Sequence, residues 1–190
     1  MRLRIAGIID LKIGYNNAGT ITYIDVPYGN KFTMTTNVTN ITYEGDNETT
    51  DVFSSADLSG TLGADKLSDE VLLKAFGKTA LTSATHSALS SLINERMYFG
   101  ENAEFVASPV ELVATAAAVR DDVDPEEAHE VVVTVFKAII KPFKPGDLAN
   151  RAKVPFELEW TAKKTTTDIA GDALIGVPAD GVTYALDILN

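Results

Sequence analysis

A chain of 190 residues, 45% hydrophobic and 23% charged, is long enough for one domain with a real core and lies outside disordered and collagen-like compositions. Its 27 acidic against 16 basic residues leave a net charge of −11, which repels DNA phosphates and anionic lipid, so a nucleic-acid binder is not expected. Without cysteine there are no disulfides, no thiolate catalysis and no thiolate metal sites. No apolar run reaches the roughly 18 residues that cross a bilayer, and no signal peptide opens the chain, so synthesis in the cytosol is expected.

The chain opens on an alternating strand, with Leu3, Ile5, Gly7, Ile9, Leu11 and Ile13 on one face and Arg2, Arg4, Asp10 and Lys12 on the other. Asn16 to Gly19 tolerate positive φ, and Thr20 to Val26 resume in β-branched and aromatic residues, which predicts a hairpin. Lys31 to Tyr43, dense in threonine, predicts a third strand with Phe32, Met34 and Val38 on one side. The acidic stretch Glu44, Gly45, Asp46, Asn47, Glu48, Thr49, Thr50, Asp51 reads as an exposed loop. A fourth strand comes next, in which Ala56, Leu58, Gly60 and Leu62 alternate with Asp57, Ser59 and Thr61.

Ser68 caps a predicted short helix whose acidic first turn precedes Val71, Leu72, Ala75 and Phe76 at helical spacing, with Gly77 placed to end it. From Thr79 to Pro125 alanine, serine and threonine rise, and Leu81, Ala88, Leu89, Leu92 and Ile93 are spaced like a weak amphipathic helix. Ser108-Pro109-Val110-Glu111 matches a capping box, so Pro109 to Val119 reads as a helix or, on its alternation, as a strand. Glu130 to Ile140 is a strong strand, nearly apolar on both faces. Val154 to Thr161 sets Phe156, Leu158 and Trp160 against Glu157 and Glu159, and Val182, Tyr184, Leu186 and Ile188 mark a last strand tied into the sheet. The sum is a mainly β chain with one short helix (α+β), arranged as a two-sheet β-sandwich or small barrel.

Chemistry-bearing motifs are sparse. His86 and His129 sit in no metal-ligand pattern and beside no GxSxG elbow, so each reads as a packing or surface residue. Glu157 and Glu159 share a strand face about 7 Å apart, a glycosidase-like spacing. Their alternation with Phe156, Leu158 and Trp160 makes them more simply the wet side of a half-buried strand. The carboxylates of Glu44, Asp46, Glu48 and Asp51 do not fit an EF-hand loop, and no phosphate cradle of the GxxxxGK[ST] or GxGxxG kind occurs. Asn37, Asn40 and Asn47 head Asn-x-Thr triplets that reflect threonine-rich strands when no secretion signal precedes them. No catalytic residue, metal site or cofactor is expected.

The stretch Ile41 to Lys78, ITYEGDNETTDVFSSADLSGTLGADKLSDEVLLKAFGK, runs from an acidic turn through an alternating strand to a short helix. The segments EVVVTVFKAIIKPF, KVPFELEWTAKKT and DALIGV lie in the C-terminal half. In this order they resemble the major tail proteins that stack as rings into the tail tube of long-tailed bacteriophages, with residues 79–125 left over as a partly helical insertion in a single domain. The resemblance implies a sandwich or barrel protomer with a flanking helix, hexameric rings, and inner strands closing a continuous barrel around a DNA-sized channel. Its partners are then further copies of itself and the tape-measure, terminator and baseplate proteins of a virion tail assembled in the host cytoplasm. DNA passes through the lumen without specific binding, and no membrane is involved. On that reading Glu44 to Asp51 make the ring-to-ring contact, Val71, Leu72, Ala75 and Phe76 pack on the sheet, and Glu157 and Glu159 are candidates for an acidic channel face. Closing sheets across subunits also removes the exposed edges that a chain of many strands must otherwise protect. A tail terminator, a capsid-decoration protein or a small cytosolic ligand-binding sandwich are the alternatives.

Overall fold

The computed structural model describes residues 3–44, 49–64, 84–85, 88, 92–93, 108–120, 122, 126–141 and 156–189. These form the strands β1 (Leu3–Asn17), β2 (Thr20–Asp25), β3 (Gly29–Glu44), β4 (Thr49–Ala64), β5 (Ala84–Thr85), β6 (Leu92–Ile93), β7 (Val110–Arg120), β8 (Glu127–Ile140), β9 (Phe156–Ala162) and β10 (Tyr184–Leu189). All the pairings are antiparallel, and no helix occurs among the described residues. The main sheet runs β2-β1-β7-β8-β9-β4-β3, with β10 also paired to β8; β5 and β6 form a separate two-stranded piece. The predicted helix with Val71, Leu72, Ala75 and Phe76 lies outside the described residues.

The first hairpin forms as its turn chemistry requires. Ala18 and Gly19 have φ of 52° and 89°, the two left-handed residues of a tight hairpin turn, and the Asn16 Oδ1 accepts the Gly19 amide at 2.8 Å. Along β1, however, the predicted alternation is interrupted by two bulges, one between Ile5 and Gly7 and one between Ile8 and Asp10. Each bulge inserts an unpaired residue and flips the facing of every later residue in the strand. The two flips cancel, so Leu11 and Ile13 are buried as expected, while between them and Ile5 the inward position passes from Ile9 to Ile8. Ile9 is left exposed on the opposite face.

Of the two readings for Pro109 to Val119 the strand holds, and the helical readings for residues 79–125 are corrected. Val110–Arg120 is a strand, paired to β1 on one side and β8 on the other, so this part of the proposed insertion lies in the middle of the sheet. Alanine favours a helix only weakly, and two full hydrogen-bonded ladders override both that preference and the capping box. Ala84–Thr85 and Leu92–Ile93 are likewise paired strand residues rather than turns of an amphipathic helix.

The core draws on both ends of the strand order. Leu11 and Ile13 of β1, Val110 and Leu112 of β7, Val135 and Ile140 of β8, Leu158 and Trp160 of β9, and Leu58 and Leu62 of β4 form one cluster. Val26 donates its amide to the Leu11 carbonyl at 2.8 Å, and the Leu11 side chain reaches Gly29 at the start of β3. A second strand in the order that touches the last one requires the sheet to curl. Inside the curl Trp160 is completely buried, with Phe32 stacked on it at a centroid distance of 5.8 Å.

Gly60 makes room for that indole. A Cβ there would come within 1.9 Å of the Thr33 carbonyl oxygen and 2.5 Å of the Trp160 ring. Neither backbone nor a fully packed indole can yield, so Gly60→Ala is expected to cost about 3 kcal/mol or more. Urea unfolding followed by tryptophan fluorescence checks this; a cost near zero would show that the core packs loosely around the indole.

Candidate assembly surfaces and a buried carboxyl

Glu44, Thr49, Thr50 and Asp51, from the predicted exposed loop, belong to a much longer feature. β3 and β4 are each 16 residues long, but β9 pairs only with Leu58–Ala64 of β4. Beyond Leu58, residues 37–44 and 49–57 pair only with each other among the described residues, as an arm roughly 25 Å long. Glu44, Thr49, Thr50 and Asp51 belong to its strands, with Glu44 opposite Thr49 and Thr42 opposite Asp51. This corrects the loop reading for those four: flanking threonines and β-branched residues extend the ladder through an acidic stretch. Gly45, Asp46, Asn47 and Glu48 lie outside the described residues.

Glu157 and Glu159 occupy the outward face of β9, exposed as predicted. Each meets a lysine: the Lys31 Nζ is 2.8 Å from Glu157 and the Lys141 Nζ is 3.1 Å from Glu159. Their neighbours across the ladder are Gly63 and Thr61, and Thr61 is opposite Thr33 in turn. The face is therefore hydroxyl-rich and locally neutralised.

β10 is tied to β8 as expected, but its apolar row is not covered. Tyr184, Leu186 and Ile188 are 43%, 55% and 45% exposed, and among the described residues the far edge of β10 pairs with nothing. Its end is held by His129, buried, whose Nδ1 lies 3.2 Å from the Leu189 carbonyl oxygen. That contact is a hydrogen bond only for the tautomer protonated at Nδ1.

A polar group of a different kind lies on the opposite face of the sheet. Glu111, paired with Gly14 between β1 and β8, is only 4% exposed and accepts a hydrogen bond from the Tyr23 hydroxyl at 2.5 Å. Opposite Glu111, β8 carries two residues for one: Val110 faces Ala138 and Leu112 faces Val135. At that bulge Lys137 adopts φ 46° and its ammonium donates to the Thr167 hydroxyl. Asp168 is next in the chain, close enough to add its negative charge to the surroundings of Glu111.

Burial raises the Glu111 pKa and the Asp168 charge adds to the rise, while the hydrogen bond from Tyr23 opposes it. Burial also holds the Tyr23 phenol well above its ordinary range, helped by the bond to Glu111. On sequence alone Glu111 reads as part of a helix cap. The signal that could have found it is an acidic residue between Val110 and Leu112, both completely buried. Among the described residues, no three His, Asp or Glu side chains are placed to hold a metal ion.

No protein-family model matches the chain, and no curated protein sequence matches it.

Because the folded-state pKa of Glu111 is raised, the native state binds more protons than the unfolded chain, and stability falls as pH rises through and above the ordinary glutamate range of about 4.3. Glu111→Gln keeps an acceptor for Tyr23 and removes the charge. Urea unfolding is expected to show the variant matching the parent at pH 4 and exceeding it at pH 7.5; a gain independent of pH would contradict the assignment. Tyr23→Phe strips the carboxylate of its donor and is expected to cost about 1–3 kcal/mol at pH 7.5.

Proposed function

We propose that the chain is a structural subunit of the tail-tube type, a curled β-sandwich or barrel protomer that stacks with copies of itself as hexameric rings into a conduit for DNA. The β3–β4 arm carries this reading. A two-stranded ribbon is marginally stable alone in water, and this one extends about 25 Å past the last strand that pairs with it among the described residues. Contact with the next ring would satisfy it. The exposed apolar row of β10, at an open edge, supplies a second self-assembly surface, since uncovered edges of this kind invite strand pairing between chains.

The neutralised, threonine-lined face of β9 and β4 suits a channel wall that DNA slides past. Glu157 and Glu159 contribute polarity there rather than strong repulsion, each being paired with a lysine. Tape-measure, terminator and baseplate proteins would meet such a tube along its bore and at its ends. The two surfaces equally serve a tail terminator that stops at a single ring.

Negative-stain electron microscopy of the purified protein separates these outcomes: long tubes support the proposal, single rings support a terminator, and monomers at high concentration overturn both. A variant lacking residues 41–52, rejoined through Asn-Gly between Asn40 and Phe53, is expected to keep its β circular dichroism and melting behaviour but form no tubes. Leu186→Glu in β10 is expected to block ring formation without unfolding the chain, since its side chain is more than half exposed. Unaltered tubes from both variants would remove the two surfaces from the interface.

A further inference from the structure

On the face turned away from the core, β1, β2, β7, β8 and β10 enclose a groove of about 420 Å³. Its floor is apolar, supplied by Val113 and Val132 at the centre, with Ile9 and Leu189 at the sides. Ile9 is available for this because the β1 bulge pushes it out of the core. The hydroxyls of Thr115 and Thr134 also line the groove.

Two carboxylates stand at opposite ends. Glu111 lies at one end, and Glu130 at the other, opposite Ala117 of β7 and six residues further along that strand, about 20 Å away at ~3.3 Å per residue. Lys12 is the ammonium lining the groove, and it is already shared between Asp10 at 3.2 Å and Asp25 at 3.6 Å. Glu111 is nine-tenths buried with a neutral phenol as its partner and the negative Asp168 nearby; no cation pairs with it among the described residues. A buried carboxylate in that position has a standing electrostatic deficit that an incoming cation would relieve. The carboxylates are strung along the groove, and no metal-holding cluster forms among the described residues, so the cation that fits is extended rather than compact.

We infer that this groove binds a linear polyamine, with a terminal ammonium on Glu111, the opposite one at Glu130, and methylene segments on Val113 and Val132. Inner ammonium groups would find acceptors in the Thr115 and Thr134 hydroxyls. A tetraamine such as spermine, extended and with a hydrogen bond at each end, spans the separation of the two carboxylates; a short diamine reaches only one. An ammonium beside Glu111 favours its charged form and so acts against burial and the Asp168 charge, which raise its pKa. The site does not depend on assembly into tubes.

The test is isothermal titration of the full chain with spermine at pH 7.5 in 150 mM NaCl, where diffuse attraction to a net charge of −11 is largely screened. The expected result is one-to-one binding, at least tenfold weaker for putrescine, and at least tenfold weaker for spermine with Glu111→Gln. Glu130→Gln, an exposed position, is expected to weaken spermine but not putrescine, and tests the far end of the site independently of Glu111. Asp180→Asn, outside the groove and paired with Lys164, is expected to leave binding unchanged. Equal affinity for spermine and putrescine, equal losses with Asp180→Asn, or no binding at all would each overturn the assignment.

Discussion

The backbone of β8 is the shared constraint. One side of it is taken by β7 over nearly its whole length, and the other side is divided between two strands: Ala138–Ile140 pair with β9, and Glu130–Val135 pair with β10. β9 and β10 therefore lie end to end along one edge, although residues 163–183 separate them in the chain. The division falls at the bulge of Phe136 and Lys137, where the Phe136 amide turns to the Thr183 carbonyl at 3.0 Å. A lysine in the left-handed region costs on the order of 1 kcal/mol, a strain the surrounding ladders impose. The same distortion points the Lys137 ammonium at Thr167 and so fastens the excursion that begins where β9 ends.

That excursion is held along its length. Thr165 bridges to Val182 and Thr167 to Ala173, the Asn16 amide group donates to the Ile169 carbonyl at 3.0 Å, and Ile169 is buried. The Asp168 Oδ1 accepts the amides of Ala170, Gly171 and Asp172 at 2.8, 2.8 and 2.9 Å, closing the turn on its own carboxylate. Asp168 is thereby fixed in its position relative to Glu111, which is why a negative environment there is a property of the fold and not of a wandering side chain.

Legibility in the sequence tracked the geometry of burial. β4 and β9 have one face packed and one wet, and their alternation placed Leu58, Leu62, Leu158 and Trp160 inward and Glu157 and Glu159 outward as found. β1 misled at Ile8 and Ile9, because a bulge adds a residue without leaving a composition signal. β7 was ambiguous because alanine and a Ser-Pro-Val-Glu start speak for a helix, and the ladders that decide otherwise come from β1, over a hundred positions upstream at its first pairs, and from β8. The buried carboxyl was invisible for the same reason: Tyr23 and Glu111 are 88 positions apart, and nothing local to either announces the other. The arm was half legible: threonine-rich residues spoke for strands, but the ladder runs on through Glu44, Thr49, Thr50 and Asp51, whose acidic, polar composition reads as loop.

Net charge misleads in a related way, since −11 describes the chain and not any one face. The carboxylates that alternation singled out on β9 are matched by Lys31 and Lys141, whereas Glu111, buried and paired with no cation among the described residues, sits on the other half of the sheet. β10 connects that half to the outer edge. Leu189 lines the groove while Tyr184, Leu186 and Ile188 stand exposed beside a backbone edge that pairs with no described strand, and β10 is anchored through its ladder to β8 and the contact of His129 with its last carbonyl. The same six-residue strand thus carries both surfaces, the groove side at Leu189 and the open backbone edge.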